Sequence, residues 1–158
     1  MEQLSLSRAL HRLTARLDRA GDQILRAEAG LSYSRFLALY MVGFEGADTQ
    51  RVLAERLGVS EPSVSRMTRV LAQSGLLEAV SDPAGGNRHR LRLSRSGQEL
   101  VERSGDELER RFASLVERSG VPYDLLLEYT KRLLDTLNAA GSWPSSARET
   151  AVKRRADR

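Results

Sequence analysis

The sequence "LAERLGVSEPSVSRMTRVLAQSGLL", residues 53–77 of a 158-residue chain, contains two short amphipathic segments separated by Gly58. A glycine here supplies the left-handed residue that commonly ends a helix. Ser60 and Pro62, two and four residues after it, are typical of the cap and first turn of a second helix. The pattern predicts two helices that meet across a tight turn, as in a helix-turn-helix unit.

The second helix of this pair presents a polar outer surface. Val64, Met67 and Leu71 have the spacing of residues that face inward. Short hydroxyl side chains and arginines then remain on the outside, a surface that suits the DNA major groove. Any helical hairpin could carry such residues, so the flanking sequence has to support the interpretation. The outer residues are Pro62, Ser63, Ser65, Arg66 and Arg69.

Two short strands are predicted after this helix. "LLEAV" and "RHRLRLS" flank the glycine-rich tip "DPAGGN", a pattern typical of a β-hairpin. The second strand alternates leucine with arginine, and we expect its arginine face to lie toward solvent. Arg88 and Arg90 are therefore candidates for contact with the DNA backbone or the minor groove. The alternative is an ordinary solvated strand face.

The regions on either side of this unit predict long helices. Leucines repeat in heptads near both chain ends, and these narrow seams suggest packing against a second chain. Between the first seam and residue 49, Ser32 can cap a helix with a dense apolar face that includes Tyr40. The seam residues expected at a dimer interface are Leu6, Leu10, Leu13, Leu17, Leu126, Leu133 and Leu137.

Composition limits the functions that the chain could have. The chain has a net charge of +4, and residues 49–97 hold eight basic against four acidic residues, a surplus suited to nucleic acid. Cysteine is absent and histidine occurs twice, so we expect no metal site and no cofactor. No transmembrane run or export signal is evident, which predicts a cytoplasmic protein without a membrane partner. No constellation of catalytic residues is recognisable, so we do not expect an enzyme.

Taken together, these motifs resemble the multiple-antibiotic-resistance regulator (MarR) family of bacterial winged-helix repressors. The resemblance rests on "TQRVLAERLGVSEPSVSRMTRVLAQSGLL", the wing opening "DP" and the closing "LRLSRSG", and it covers roughly residues 5–140. The wing departs from the family pattern, because Ala84 and Asn87 stand where arginines are usual, although Asp82 is present. Arg88 or Arg90 could take over the backbone contact.

The resemblance implies a mainly α fold with a small two-stranded β wing, in which a winged helix-turn-helix lobe joins a dimerisation region of long helices. It implies an N-terminal dimerisation helix at 1–30, the DNA-binding domain at 31–97 and C-terminal dimerisation helices at 98–141. We expect a disordered basic tail at 142–158. The residues expected at DNA are Thr49, Gln50, Ser60, Pro62, Ser63, Ser65, Arg66, Arg69, Arg88 and Arg90.

The function implied is a homodimeric transcriptional regulator that binds a pseudo-palindromic operator in double-stranded DNA, and a ligand-responsive repressor in particular. Family members commonly respond to a small aromatic or anionic effector. The alternative is a dimeric winged-helix module that binds protein partners and no operator. The residues expected to contact such an effector are His11, Arg12, Arg16, Tyr33, Arg35 and Tyr40. The alternative for each is an ordinary surface or interface residue.

Overall fold

The computed structural model describes residues 5–81 and 89–140. It confirms the expected class, mainly α with a two-stranded antiparallel sheet. The described residues form two compact units, and the boundary between them falls within the fifth helix, between Arg110 and Arg111. The elements are α1 (Leu6–Ala29), α2 (Tyr33–Phe44), α3 (Gln50–Leu57), α4 (Glu61–Gln73), β1 (Leu77–Ser81), β2 (His89–Leu93), α5 (Arg95–Ser119) and α6 (Tyr123–Ala140).

Capping side chains, predicted at Ser32 and Ser60, begin the helices of the first unit. The side chains of Ser32, Thr49 and Ser60 each accept a hydrogen bond from a backbone N–H in the first turn of α2, α3 and α4 respectively. Gly58 has φ 65°, the left-handed conformation predicted for it, and its N–H bonds to the last turn of α3. The tight turn between α3 and α4 is therefore confirmed.

The two strands form the root of the wing. They pair from Leu77 opposite Leu93 to Ser81 opposite His89, within about one residue of the predicted bounds. Leu77 and Leu91 are buried, so this sheet is attached to the lobe through one face. The hairpin tip, with Asp82, Ala84, Asn87 and Arg88, lies outside the described residues, and so does the tail 142–158.

The core of the first unit joins α2, α3, α4, the sheet and the first half of α5. Leu39, Leu53, Val64, Leu71 and Val101 are almost completely inaccessible. Val64 and Leu71 thus confirm the inward face predicted for α4, whereas Met67 is only half-buried.

One expectation about burial was wrong, and the burial of two further residues was not predicted. Tyr40, which we expected in the buried face of α2, is 39% exposed. Val59, the apolar residue of the turn, is 44% exposed, because the backbone bond from its N–H to Ala54 holds the turn without burying the side chain. Thr68 of α4 is buried although its hydroxyl gave no apolar signal in the sequence.

Within the described residues, no helix is both long enough and apolar enough to span a bilayer.

Candidate nucleic-acid interface

The helix pair α3–α4 is fastened by polar contacts as well as by its apolar core. Gln50 Nε2 donates to the Thr68 hydroxyl at 3.4 Å, and that hydroxyl in turn donates to the Ser65 carbonyl at 3.2 Å. The buried Thr68 is therefore satisfied from both helices. Gln50, predicted at DNA, also has a structural role, since it holds the start of α3 against the middle of α4.

The first turn of α4 is organised by serines. The Ser60 hydroxyl accepts from the Ser63 backbone N–H, and the two hydroxyl oxygens are 2.9 Å apart. Arg66 Nη2 donates to the Ser63 hydroxyl at 3.2 Å. Pro62 and Arg66 are exposed, so this turn presents a proline, serines and a guanidinium to solvent.

Most arginines of the lobe between α2 and β2 are paired with carboxylates. The described pairs are Arg51 with Glu55 at 3.1 Å, Arg56 with Glu45 at 3.3 Å, Arg90 with Asp48 at 2.5 Å and Arg92 with Glu78 at 2.9 Å. Arg35, Arg66 and Arg69 have no such partner among residues 5–81 and 89–140. Uncompensated positive charge of this lobe is therefore concentrated on α4 and at the start of α2.

The wing arginines differ from the expectation of a freely solvated face. Arg90 is held by the Asp48 carboxylate, and the Leu91 N–H donates to the Asp48 carbonyl at 2.7 Å. The loop before α3 therefore anchors the start of β2. Arg90 still has half of its side chain exposed and could contact a phosphate from this anchored position.

The effector candidates fall into separate places. His11, Arg12 and Arg16 are exposed on α1. Tyr33 is half-buried, and burial followed by the nearby Asp18 charge raises the pKa of its phenol. Tyr40 stands in a row of aromatic rings along α2, with centroids 5.4–6.4 Å apart. Sequence reasoning missed this row, although spacings of three and four residues marked it: Tyr33, Phe36, Tyr40 and Phe44.

The corner between α1 and α2 is closed by Asp22. Its carboxylate accepts from Arg26 Nε at 2.6 Å and from the Tyr33 backbone N–H at 2.9 Å. The hydrogen bond from Arg26, and then that from Tyr33, hold the pKa of the Asp22 carboxyl below its usual value. This contact fixes the start of α2 relative to the end of α1.

A partly open cavity of about 340 Å³ lies between this corner and α4. Arg35 and Arg66 both line this cavity, so the structure brings one effector candidate close to one DNA-binding candidate. The other five effector candidates do not line it. Its lining comprises Arg26, Ser32, Ser34, Arg35, Arg66, Met67 and Val70.

The predicted dimer seams are largely uncovered in the single chain. In the first unit, Leu6, Leu10 and Leu13 are exposed, while Leu17 is half-buried. In the second unit, Leu133 and Leu137 are exposed and Leu126 is half-buried. The seam on α6 is broader than predicted, because further apolar side chains are exposed there: Leu125, Leu127 and Leu134.

No group of three or more histidine, aspartate or glutamate side chains suited to a metal ion occurs in the part of the chain that the structure describes.

A helix pair with a polar, arginine-bearing second helix, followed by a two-stranded hairpin, defines a winged helix-turn-helix protein. The family model of the MarR family matches residues 29–86, which run from the end of α1 to the hairpin. An HTH-type transcriptional regulator of Mycobacterium leprae is 33% identical over 96 residues, 61% of this chain and 64% of that relative, so the match spans less than two thirds of its length. Over this region the chain is similar to the MarR family.

Solved structures show the same fold over most of the chain. The Staphylococcus aureus MepR–DNA complex aligns with a TM-score of 0.67 at 20% identity, covering 89% of this chain and 99% of MepR. NadR in complex with 4-hydroxyphenylacetate aligns with a TM-score of 0.69 at 19% identity, covering 86% of this chain and 94% of NadR.

Proposed function

We propose that the protein is a sequence-specific transcription regulator that binds double-stranded DNA as a homodimer, with α4 in the major groove. The observation that carries this proposal is the outer surface of α4, where Arg66 and Arg69 lack carboxylate partners among the described residues while most arginines around them are paired. Exposed, unpaired guanidinium groups on a groove-sized helix suit guanine edges and phosphates. The MepR relative, whose structure was solved with DNA, supports the same use of the fold.

The residues proposed to contact DNA have different roles. Arg66, oriented by Ser63, is placed to read a base edge, and Ser65 and Arg69 extend the same surface. Ser60, Pro62 and Ser63 form the first turn, where short side chains permit close approach to the groove. Thr49 and Gln50 begin α3, where phosphate contact is expected. Arg90 and Arg88 are proposed for the backbone beside the wing; Arg88 lies outside the described residues.

Homodimerisation and effector response belong to the proposal as well. The exposed leucine seams favour a second copy, since contiguous apolar surface of this kind usually marks an interface. NadR, which was solved with 4-hydroxyphenylacetate, supports a small aromatic or anionic effector for this chain too. An effector would act through different affinity for the DNA-competent and incompetent states, giving a ligand-responsive repressor.

Arg66→Ala tests whether α4 recognises bases in the major groove. We expect operator affinity to fall by about 1 to 3 kcal/mol, with weaker discrimination between sequences, because a bidentate contact to a base is lost. The operator is first selected from random duplexes with the purified protein, and affinity is then measured by fluorescence anisotropy. Arg103→Ala, which removes an exposed arginine of α5, serves as the control and should leave affinity unchanged.

The same measurement distinguishes DNA binding from the alternative function, a winged-helix module that binds protein partners. Wild-type affinity for duplex should fall log-linearly with salt, since phosphate contacts release counterions. Folded Arg66→Ala with full affinity and full sequence preference would refute the role of Arg66. A wild-type protein that binds no duplex at physiological salt would refute the DNA-binding proposal as a whole.

A further inference from the structure

The cavity between the α1–α2 corner and α4 combines charge with hydroxyl groups. Arg26 comes from the last turn of α1, Arg35 from the first turn of α2 and Arg66 from the outer side of α4. Ser32 and Ser34 lie between them, with hydroxyl oxygens 3.2 Å apart. The described lining contains three guanidinium groups and no carboxylate. An oxyanion is the chemistry that such a lining favours.

The donors available to an oxyanion can be followed residue by residue. Arg35 and Arg66 have no carboxylate partner in the described ranges, and the described contact of Arg66 to Ser63 uses one nitrogen, Nη2. Arg26 is paired with Asp22, but that contact uses Nε, so both Nη atoms of Arg26 remain donors. The positive charge of this cavity is thus only partly neutralised by the protein itself.

The position of the cavity suggests where the oxyanion comes from. The DNA major groove is about 12 Å wide and its walls are rows of phosphates, so a helix inside it has phosphates at its flanks. Arg66 belongs both to the outer surface of α4 and to the cavity, which places Arg26 and Arg35 beside that surface. Backbone contacts of this kind set the register of a protein on the duplex without reading sequence.

We propose that Arg26 and Arg35, with the Ser32 and Ser34 hydroxyls, bind a phosphate oxyanion of the DNA backbone at the edge of the groove that α4 occupies. This inference rests on the proposed function and deepens it, because it adds a second point of attachment outside the helix-turn-helix and the wing. It also changes the role of Arg35 from an effector ligand to a phosphate contact. Arg26 is the more novel contact, since it extends the DNA surface to the end of α1.

The test measures duplex affinity of the full chain over a series of salt concentrations. Arg26→Ala and Arg35→Ala should each weaken binding to operator and random duplex equally, and each should lower the slope of log affinity against log salt by about two units, since each copy of the proposed dimer loses one phosphate contact. Arg35→Lys should retain most of the slope, because a lysine keeps the charge. Arg19→Ala is the matched control: this exposed arginine lies on the same face of α1 as Arg26, about 10 Å further along the helix, and should change neither quantity.

A second arm distinguishes a duplex phosphate from a free anion. Thermal unfolding is followed during titration with inorganic phosphate at constant ionic strength. Weak or no stabilisation, together with the lowered slopes, supports the proposal. Saturable stabilisation that Arg35→Ala abolishes, with duplex slopes unchanged, would show a site for free anions and overturn it.

The failure of this inference is separable from that of the proposed function. If the wild type binds duplex and Arg66→Ala relaxes its sequence preference, yet Arg26→Ala and Arg35→Ala keep the wild-type slope, the phosphate contact alone is wrong. If the substitutions weaken only the operator and spare random duplex, the two arginines read sequence, and the assignment to phosphate is likewise overturned.

Discussion

The ion pair between Asp48 and Arg90 connects the loop before α3 to the second strand of the wing, 42 residues further along the chain. Both side chains are substantially exposed, so the pair adds little to folding stability, typically below about 1 kcal/mol. Its greater effect is on the charge that the wing offers to DNA, because the carboxylate neutralises a guanidinium proposed to contact phosphate. Asp48 therefore both positions Arg90 and weakens its attraction for the duplex.

Asp48→Asn should strengthen binding to all duplexes and increase the salt slope by up to about two units, one from each copy of the proposed dimer. The reason is that a charge repelling the phosphates is removed and no longer neutralises Arg90. Fluorescence anisotropy on operator and random duplex measures both effects. Glu78→Gln is the control, because it removes the same charge beside Arg92 on the neighbouring strand. An equal gain from both substitutions would indicate a general charge effect and contradict a specific role for Arg90.

Contacts near in sequence were predictable and contacts distant in sequence were not. Ser32 and Ser60 were identified as caps because a cap depends on the few residues that follow it. Arg90 was expected to be solvated, since nothing near it in the sequence indicates a partner 42 positions away. The cavity at Arg35 was missed for the same reason, because its walls come from three separate helices.

At the scale of elements, α5 packs closely against the start of the wing through Gly97. A Cβ built on Gly97 would lie 2.0 Å from the Leu76 carbonyl oxygen, and that oxygen accepts a hydrogen bond from the Ser94 N–H. The obstacle is backbone and cannot move aside like a flexible side chain. The absence of a side chain at this position therefore sets how closely the first turn of α5 approaches β1.

Gly97→Ala should lower the free energy of unfolding by about 1 to 3 kcal/mol or more, because helix and strand must separate to admit the methyl group. Gly105→Ala, in the same helix, is the matched control. Its nearest neighbour is Phe36 at 3.9 Å, an ordinary contact, so the gain in helix propensity of up to about 1 kcal/mol should prevail. Urea unfolding measures both variants, and a Gly97→Ala protein as stable as the wild type would show that the approach is not tight in solution.

The order and bounds of the described elements followed from periodicity and caps, whereas the buried face of each helix was less predictable. On α1 the heptad seam drew attention to Leu10 and Leu13, yet Leu25 is the leucine of this helix that is fully buried. The seam repeats regularly, while Leu25 is buried because α2 turns back at Gly30 and covers the end of α1. A contact that depends on the direction of the next helix leaves no periodic signal.

At the scale of the whole molecule, the exposed leucines of α6 are the strongest reason to expect a second copy of the chain. Leu133 is 56% exposed. Burying apolar surface of this kind in an interface stabilises the complex by about 25 cal/mol for each Å² removed from water. Homodimers commonly bury such seams, and an operator with two half-sites about one helical turn apart would follow from a two-fold axis. The dimer would also place two copies of α4 on one duplex, so that the salt slope of the dimer includes the contacts of both.

Leu133→Glu should cause dissociation and unfolding together, because the proposed interface would have to bury an unpaired carboxylate and the separated chains would lack its stabilisation. Sedimentation velocity gives the mass, and circular dichroism at matched concentrations gives the fold. Lys131→Glu is the control: it adds the same carboxylate to the same helix two residues earlier, on a different face, and should leave a folded dimer. A Leu133→Glu chain that sediments as a wild-type dimer would place Leu133 outside the interface, and a folded monomer would show that the seam is not required for the fold. In the second case operator affinity should still fall steeply, because two half-sites would no longer be held by one particle.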